Sequence, residues 1–186
     1  MKLPSRQTSS SFRRIVSILI GGLLALATTI ESQNPGEYAV KAAFLLNFTR
    51  FTDWPSSAFE SETAPLVLCI VGADRFGPAL ERVEGKSAKG HSIRVERNSS
   101  HEMLRRCHVA FISDSERSRV DELLKTMQKT TVLTVSDIDR FARRGGVIGL
   151  VLEGDRIRFE VNLKAAERAQ LRLSSDLLKL ASIVRE

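Results

Sequence analysis

One uninterrupted apolar run indicates the class of fold: Pro65-Leu-Val-Leu-Cys-Ile-Val-Gly72. Its aliphatic side chains are continuous rather than alternating with polar ones, which is typical of a strand covered on both faces of a parallel sheet. Similar runs lie further along the chain, at residues 107–113, 131–135 and 147–152. The segments between them have helical or capping patterns, and helices that alternate with buried strands predict an α/β domain.

The first helix is predicted at residues 37–52, where four apolar side chains fall three or four residues apart: Val40, Phe44, Phe48 and Phe51. We expect this stripe to face the sheet. The chain beyond adds a half-exposed strand, a hairpin and two capped closing helices, predicted at residues 92–97, 147–161, 163–171 and 175–184. Together these elements predict a single three-layer α/β domain over residues 37–186, with a mostly parallel sheet, flanking helices and a C-terminal antiparallel hairpin.

The first 27 residues have the pattern of an export signal. A basic start ending in Arg13-Arg14 precedes an apolar stretch from Ile15 and the small-residue pattern Ala25-Leu26-Ala27, which are the zones of a cleaved signal peptide. The alternative, an uncleaved anchor, needs about 20 apolar residues, and this stretch is shorter. We therefore expect a signal peptide at residues 1–27, a linker at residues 28–36 and no membrane span after cleavage.

The basic net charge originates largely in that leader. The chain carries 28 Lys and Arg against 22 Asp and Glu, a formal charge of +6, and four of the basic residues lie in the leader, which has no acidic residue. Removing the leader leaves 24 basic against 22 acidic side chains, or +2. This balance predicts no nucleic-acid partner.

The sequence has no constellation that is typical of an enzyme or a cofactor site. Gly85-Lys86-Ser87 is similar to the end of a phosphate-binding loop, but Leu80 occupies the position of the earlier glycine. The three histidines belong to separate elements, so no metal site is expected. His108 directly follows Cys107, and adjacent strand residues point to opposite faces, which argues against a catalytic dyad. We expect neither catalysis nor a bound cofactor.

The two cysteines, Cys69 and Cys107, belong to predicted buried strands of an exported chain. If the strands are neighbours, their Cα atoms lie within bonding range, and an oxidising compartment favours the disulfide. Two buried free thiols are the alternative. The exposure of the bond would distinguish a structural disulfide from a redox switch.

Two groups of residues are candidates for binding. Aromatic and basic side chains near the exit of the first helix and at a glycine-containing turn are candidates for a partner surface: Phe48, Trp54, Phe59, Arg143 and Arg144. Residues that follow three parallel strands are expected at the carboxyl edge of the sheet, where α/β domains bind ligands: Gly72, Asp74, Ser113, Asp114, Ser136 and Asp137. A deep pocket there would favour a small-molecule ligand, whereas a shallow edge with an apolar patch near Trp54 would favour a protein partner.

Several blocks of the chain resemble the YfiR-like family of exported signalling proteins. The first is Glu37-Tyr-Ala-Val-Lys-Ala-Ala-Phe-Leu-Leu-Asn-Phe48, followed by Phe51 and Trp54-Pro55. Later blocks occur in the family's order at residues 68–72, 76–80, 107–112, 132–137, 141–146 and 159–163. The resemblance covers residues 37–184, essentially the whole chain after the leader and linker.

The resemblance implies a periplasmic, non-catalytic regulator that represses an inner-membrane diguanylate cyclase by binding its periplasmic sensor domain, thereby lowering cyclic di-GMP and biofilm formation. It also implies a homodimer and cysteine pairs tied to redox state. Cys69 and Cys107 match one such pair, whereas the second pair of some members has no counterpart in residues 131–161. Because related domains also occur beside histidine kinases, the alternative is a periplasmic small-molecule sensor that feeds such a kinase.

Overall fold

The computed structural model describes residues 35–97, 99 and 102–184. Its helices are α1 (Pro35–Arg50), α2 (Val120–Thr126), α3 (Leu163–Arg168) and α4 (Ser175–Lys179). Its strands are β1 (Thr52–Asp53), β2 (Leu66–Val71), β3 (Ser87–Ala88), β4 (His91–Glu96), β5 (Val109–Ile112), β6 (Leu133–Ser136), β7 (Ile148–Glu153), β8 (Arg156–Asn162), β9 (Arg172–Leu173) and β10 (Ser182–Val184). The expected signal peptide, and the linker apart from residues 35 and 36, lie outside the described residues.

The described strands form one large sheet in the order β10-β8-β7-β6-β5-β2-β4-β3, with β1 and β9 paired separately. Neighbouring strands from β4 across to β7 run parallel. The β7-β8 hairpin is antiparallel, and β10 runs parallel to β8. The predicted α/β class, with a mostly parallel sheet and a C-terminal antiparallel hairpin, is confirmed.

The central strand β2 shows how the layers are built. All six of its residues are buried, because alternate side chains point to opposite faces and both faces are covered. One face packs with Leu45 and Phe48 of α1. The other packs with Leu123 of α2 and with Leu104 from the 3-10 turn Met103–Arg106. Helices therefore flank the sheet on both sides.

The first helix buries a different face from the predicted one. Val40 and Phe51 are 46% and 38% exposed, whereas Lys41 and Leu45 are buried. The prediction that Val40 and Phe51 face the sheet is therefore wrong. The buried face is displaced by roughly one residue, about 100° around the helix, although Phe48 of the predicted stripe is still buried. Lys41 can lie on the buried face because its ammonium has a charged partner there.

The C-terminal end also differs from its prediction. Asn162 and Ser174 cap the two closing helices as expected, accepting hydrogen bonds from the backbone N–H of Ala165 (2.9 Å) and Leu177 (3.2 Å). However, α4 ends at Lys179, and residues 182–184 form strand β10 rather than more helix. This strand pairs with the outer side of β8, which would otherwise be an exposed sheet edge.

Cys69 and Cys107 form a disulfide, with their Cα atoms 5.9 Å apart. Cys69 lies on β2, and Cys107 lies two residues before its neighbour β5. The predicted bond is thus present in the fold. Since the cysteines are only 1% and 4% exposed, the bond has the burial expected of a structural disulfide.

Candidate functional site

The structure brings the ends of three parallel strands together at the carboxyl edge of the sheet. Val71 is paired with Ile112, and Ile112 with Ser136, so Gly72 and Ser113 follow adjacent strands there. Ser136 is fully buried: its hydroxyl donates to the carbonyl of Ile112 (2.6 Å) and accepts from the N–H of Ile138 (3.0 Å). The Ser136 hydroxyl therefore stabilises this edge of the sheet through hydrogen bonds within the chain.

The two loop aspartates at this edge are also engaged. Asp74 accepts from the N–H of Phe76 (2.8 Å) and pairs with Arg97. Asp114 pairs with Arg117, three residues later. Ion pairs and backbone bonds of this kind stabilise loops, so they account for both carboxylates without a ligand.

Gly72 is required by close packing between the loops. Its φ is +84°, and a Cβ at this position would lie 2.5 Å from Oγ of Ser115. That hydroxyl accepts from the N–H of Ala73 (2.9 Å). A left-handed φ and a close approach both favour glycine, and the loop after β2 is therefore closed against the one after β5.

Asp137, the last of the candidate pocket residues, belongs to a buried charge cluster. Its Oδ2 lies 2.5 Å from Nζ of Lys41 and accepts from the hydroxyl of Tyr38 (3.3 Å). Lys41 also pairs with Glu37 (2.6 Å), and its ammonium lies 4.3 Å from the centre of the Tyr38 ring. No sequence spacing indicates this cluster, because Lys41 and Asp137 lie 96 residues apart in the chain.

The electrostatics of this cluster favour a charged lysine and a neutral tyrosine. Burial raises the pKa of Tyr38, and the Asp137 carboxylate raises it further. For Lys41, burial by itself lowers the pKa, but the hydrogen bonds to Asp137 and Glu37 outweigh burial, so that the pKa is raised overall. The cluster thus joins α1 to the loop after β6 by a buried ion pair.

A second cluster gathers at the other end of the strands and contains two of the predicted partner residues. Phe59 stacks between the imidazoles of His91 and His108, with ring centres 3.8 and 4.3 Å away. Trp54 donates its indole N–H to the carbonyl of His108 (3.2 Å). We call Trp54, Phe59, His91 and His108 the aromatic–imidazole cluster. Both aromatic residues are half-buried, so each retains some exposed surface.

Hydrogen bonds fix the tautomer of His108. Nδ1 accepts from the N–H of Val67 (3.0 Å), so the proton is on Nε2, which donates to the carbonyl of Ala58 (3.0 Å). Burial lowers the pKa of His108, and His91 lowers it further against the opposing effect of the Ala58 carbonyl. The cluster is built around a neutral imidazole.

A cavity of about 480 Å³ lies beside this cluster and the disulfide. The residues that line it include both cysteines and His108. Charged side chains of both signs complete its wall: Glu60, Arg94, Glu96, Arg105 and Arg106. We call this space the disulfide cavity. Its volume is within the range of small-molecule sites, about 300–1,000 Å³.

The remaining predicted partner residues differ in availability. Phe48 is fully buried and so presents no surface to a partner, which corrects that expectation. Arg144 makes two hydrogen bonds to Asp121 (2.9 and 2.8 Å), which raise the pKa of Arg144 and lower that of Asp121. Arg143 is exposed, with Glu160 3.9 Å away.

Apolar side chains are exposed along α1 and directly after it. Val40, Ala43 and Phe51 are exposed and Phe44 is half-buried, although Val40, Phe44 and Phe51 belong to the stripe predicted to face the sheet. Their positions fall on one side of the helix when its period is continued to Phe51, and we call these four residues the α1 outer stripe. The sequence would indicate this surface only if the buried face of α1 were assigned correctly.

No helix within the described residues has the length and apolarity needed to cross a membrane. In the same part of the chain, no three His, Cys, Asp or Glu side chains gather as metal ligands.

Comparison with known proteins gives one family. The YfiR/HmsC-like family matches residues 38–182 of this chain, which is most of its length. Among solved structures, a conserved domain protein from Vibrio cholerae O1 biovar eltor is similar, with a TM-score of 0.56 and 9% identity over 80% of this chain and 60% of that one. This chain therefore spans about 60% of that protein's length, and the similarity shows the fold alone.

A second solved structure is the ABC domain from Streptococcus pneumonia in complex with L-Trp. It has a TM-score of 0.47 and 10% identity over 64% of this chain and 55% of that one, and we draw no conclusion from it.

Proposed function

Because this chain belongs to the YfiR/HmsC-like family, whose members are periplasmic regulators of cyclic di-GMP signalling, we propose that it binds the periplasmic sensor domain of an inner-membrane signalling protein. The most specific form of the proposal is repression of a diguanylate cyclase without catalysis. The family match over residues 38–182 carries it. The signal peptide expected at residues 1–27 and the buried disulfide both fit an oxidising compartment.

We place the contact surface on the α1 outer stripe and at the exit of the helix. Phe51 and Trp54 flank the short strand β1, so exposed aromatic surface continues beyond the helix end. Apolar and aromatic side chains on a rigid helix are typical anchors of protein interfaces. Arg143, exposed on a different element, is a further candidate for contact with an acidic partner surface.

The proposal is tested by deleting the gene in the cells that naturally produce this chain and measuring cyclic di-GMP. Deletion should raise cyclic di-GMP, and the wild-type chain should restore the low level. Cross-linking in intact cells should join the chain to an inner-membrane protein with a periplasmic sensor domain. Unchanged cyclic di-GMP together with no such cross-linked receptor would refute it.

A double variant and a matched control test the proposed contact surface. Val40→Ser with Phe51→Ser removes two exposed apolar side chains, and affinity for the receptor should fall by about tenfold or more. Leu152→Ser is the matched control, because Leu152 is 62% exposed at the far end of β7. If the double variant still represses and binds like the control, the surface lies elsewhere.

A second proposal, a small-molecule sensor that acts on a histidine kinase, is favoured by one observation, the disulfide cavity with its mixed charges. In that case deletion would leave cyclic di-GMP unchanged, and the cross-linked receptor would be a kinase. The dimer implied by the resemblance is also part of the proposal, and sedimentation of the purified protein tests it.

A further inference from the structure

A cavity of about 300 Å³ lies near the C-terminal end of α2. Its wall is formed by the end of α2 and the loop after it, the amino ends of β6 and β7, the turn at Gly145, and one side of α3. It is separate from the disulfide cavity. The segment 130–132 divides them, since Thr131 lines the disulfide cavity whereas Thr130 and Val132 line this one.

The floor of the cavity is apolar. Leu124, Met127, Val132 and Val147 are buried residues that line it. On α3 and at its end, Ala165 and Ala169 line the cavity, and their small side chains leave the space unfilled. An apolar floor of this kind favours a hydrocarbon group.

The rim of the cavity is cationic. Lys129, Arg144 and Arg168 line it, and no acidic residue is among the lining residues. Arg144 is paired with Asp121. Lys129 and Arg168 have no ion-pair partner within the described residues, and both are exposed. The two unpaired cations at the mouth of an apolar space favour an anionic group.

We propose that this cavity binds a small amphipathic anion, an apolar chain that ends in a carboxylate. The apolar chain would lie against Leu124 and Val147, and the carboxylate would lie between Lys129 and Arg168. The volume limits the ligand to about ten non-hydrogen atoms, at roughly 30 Å³ for each water-sized group. A free short-chain acid such as octanoate has this size, whereas a phospholipid with two acyl chains is several times larger.

The test is calorimetric titration of octanoate into the exported form of the protein, purified from cells that produce the full chain. Octanoate should bind with a dissociation constant of about 1 mM or tighter. Octanol, which has the chain without the charge, and inorganic phosphate, which has charge without the chain, should each bind at least about fivefold more weakly. Equal binding of octanol or of phosphate would overturn the proposal, as would no detectable octanoate binding.

Variants locate the site. Lys129→Gln and Arg168→Gln should each weaken octanoate binding about threefold, and the double variant about tenfold. Lys164→Gln is the matched control, because Lys164 is exposed on the same helix and does not line the cavity. Ala169→Leu should fill the space and abolish binding. If the charge variants bind like Lys164→Gln, the site is not this cavity.

This inference does not rest on the proposed regulatory function. Octanoate binding is measured on the protein without its receptor, so the outcome is independent of whether the receptor is a cyclase, a kinase or neither.

Discussion

Replacing Lys41 with methionine should leave the Asp137 carboxylate buried without its cation. The Lys41 side chain is 6% exposed, and its ammonium lies 2.5 Å from Oδ2 of Asp137. Methionine preserves most of the apolar length of the side chain, so the change mainly removes the charge. The expected effect is therefore electrostatic rather than a loss of packing.

Breaking a buried ion pair by removing one partner costs about 3–5 kcal/mol in free energy of unfolding. We expect about 3 kcal/mol here, the lower end, because the second partner Glu37 is partly exposed and keeps its hydration. For a domain of this size that corresponds to a fall in melting temperature of roughly 6–12 °C. Adding Asp137→Leu to Lys41→Met should recover most of the loss, since the charge that then lacks its partner is the partly exposed Glu37 and not the buried Asp137.

The assay is urea unfolding followed by circular dichroism at pH 7.5. The matched control is Lys179→Met, which breaks an exposed Lys179–Asp176 pair and should change the free energy by less than about 0.5 kcal/mol. On the alkaline side, the raised pKa of Lys41 means that its contribution is complete below about pH 10.4 and is lost as the pH rises through the folded-state pKa. A Lys41→Met loss no larger than that of the control would refute the reasoning.

Two further predictions concern the other end of the strands. Cys69→Ala with Cys107→Ala should lower the free energy of unfolding by about 4 kcal/mol, since the bond closes a loop of separation 38. Because both cysteines are buried, iodoacetamide is applied to the unreduced protein unfolded in urea, where it should label no thiol; labelled thiols there would contradict the disulfide. The lowered pKa of His108 predicts that its contribution to stability is complete above about pH 6.5 and is lost as the pH falls from there towards the folded-state pKa. His108→Gln, which does not titrate, should lose less stability between pH 7.5 and 5.5 than the wild type in urea unfolding, and equal losses would show that His108 is not the titrating group.

The sequence was sufficient for features that depend on local pattern. The apolar run at β2 predicts a strand buried on both faces, and all six residues are buried. Asn162 and Ser174 act as caps because their side chains reach backbone N–H groups only three residues away. The disulfide was predictable because the two cysteines fall in buried apolar runs of a chain with an expected export signal, and an oxidising compartment favours their pairing.

Features that depend on distant partners were not predictable in this way. Lys41 is buried only because Asp137, 96 residues further along the chain, meets it across the fold. A periodic pattern identifies a helix but cannot place its buried face when an apolar stripe and a paired lysine lie about 100° apart. Likewise, the stacking of Phe59 between two histidines joins three separate elements, and no sequence spacing encodes it.

The two ends of the parallel strands differ in chemistry, and the difference favours one end as a ligand site. At the carboxyl edge, where open α/β sheets usually bind ligands, Asp74, Asp114 and Asp137 all have basic partners in the chain itself. That edge remains a predicted site, but its carboxylates are already neutralised.

At the amino edge the residues that precede strands line cavities instead. Pro65 before β2 and Cys107 before β5 line the disulfide cavity. Val147 before β7 lines the second cavity, the one with the cationic rim near the end of α2. Unpaired cations, the neutral His108 and the half-buried Trp54 lie on this side or close to it. Because unpaired cations and two cavities lie together at the amino edge, we expect small molecules to bind there and the α1 outer stripe to remain available to a protein partner.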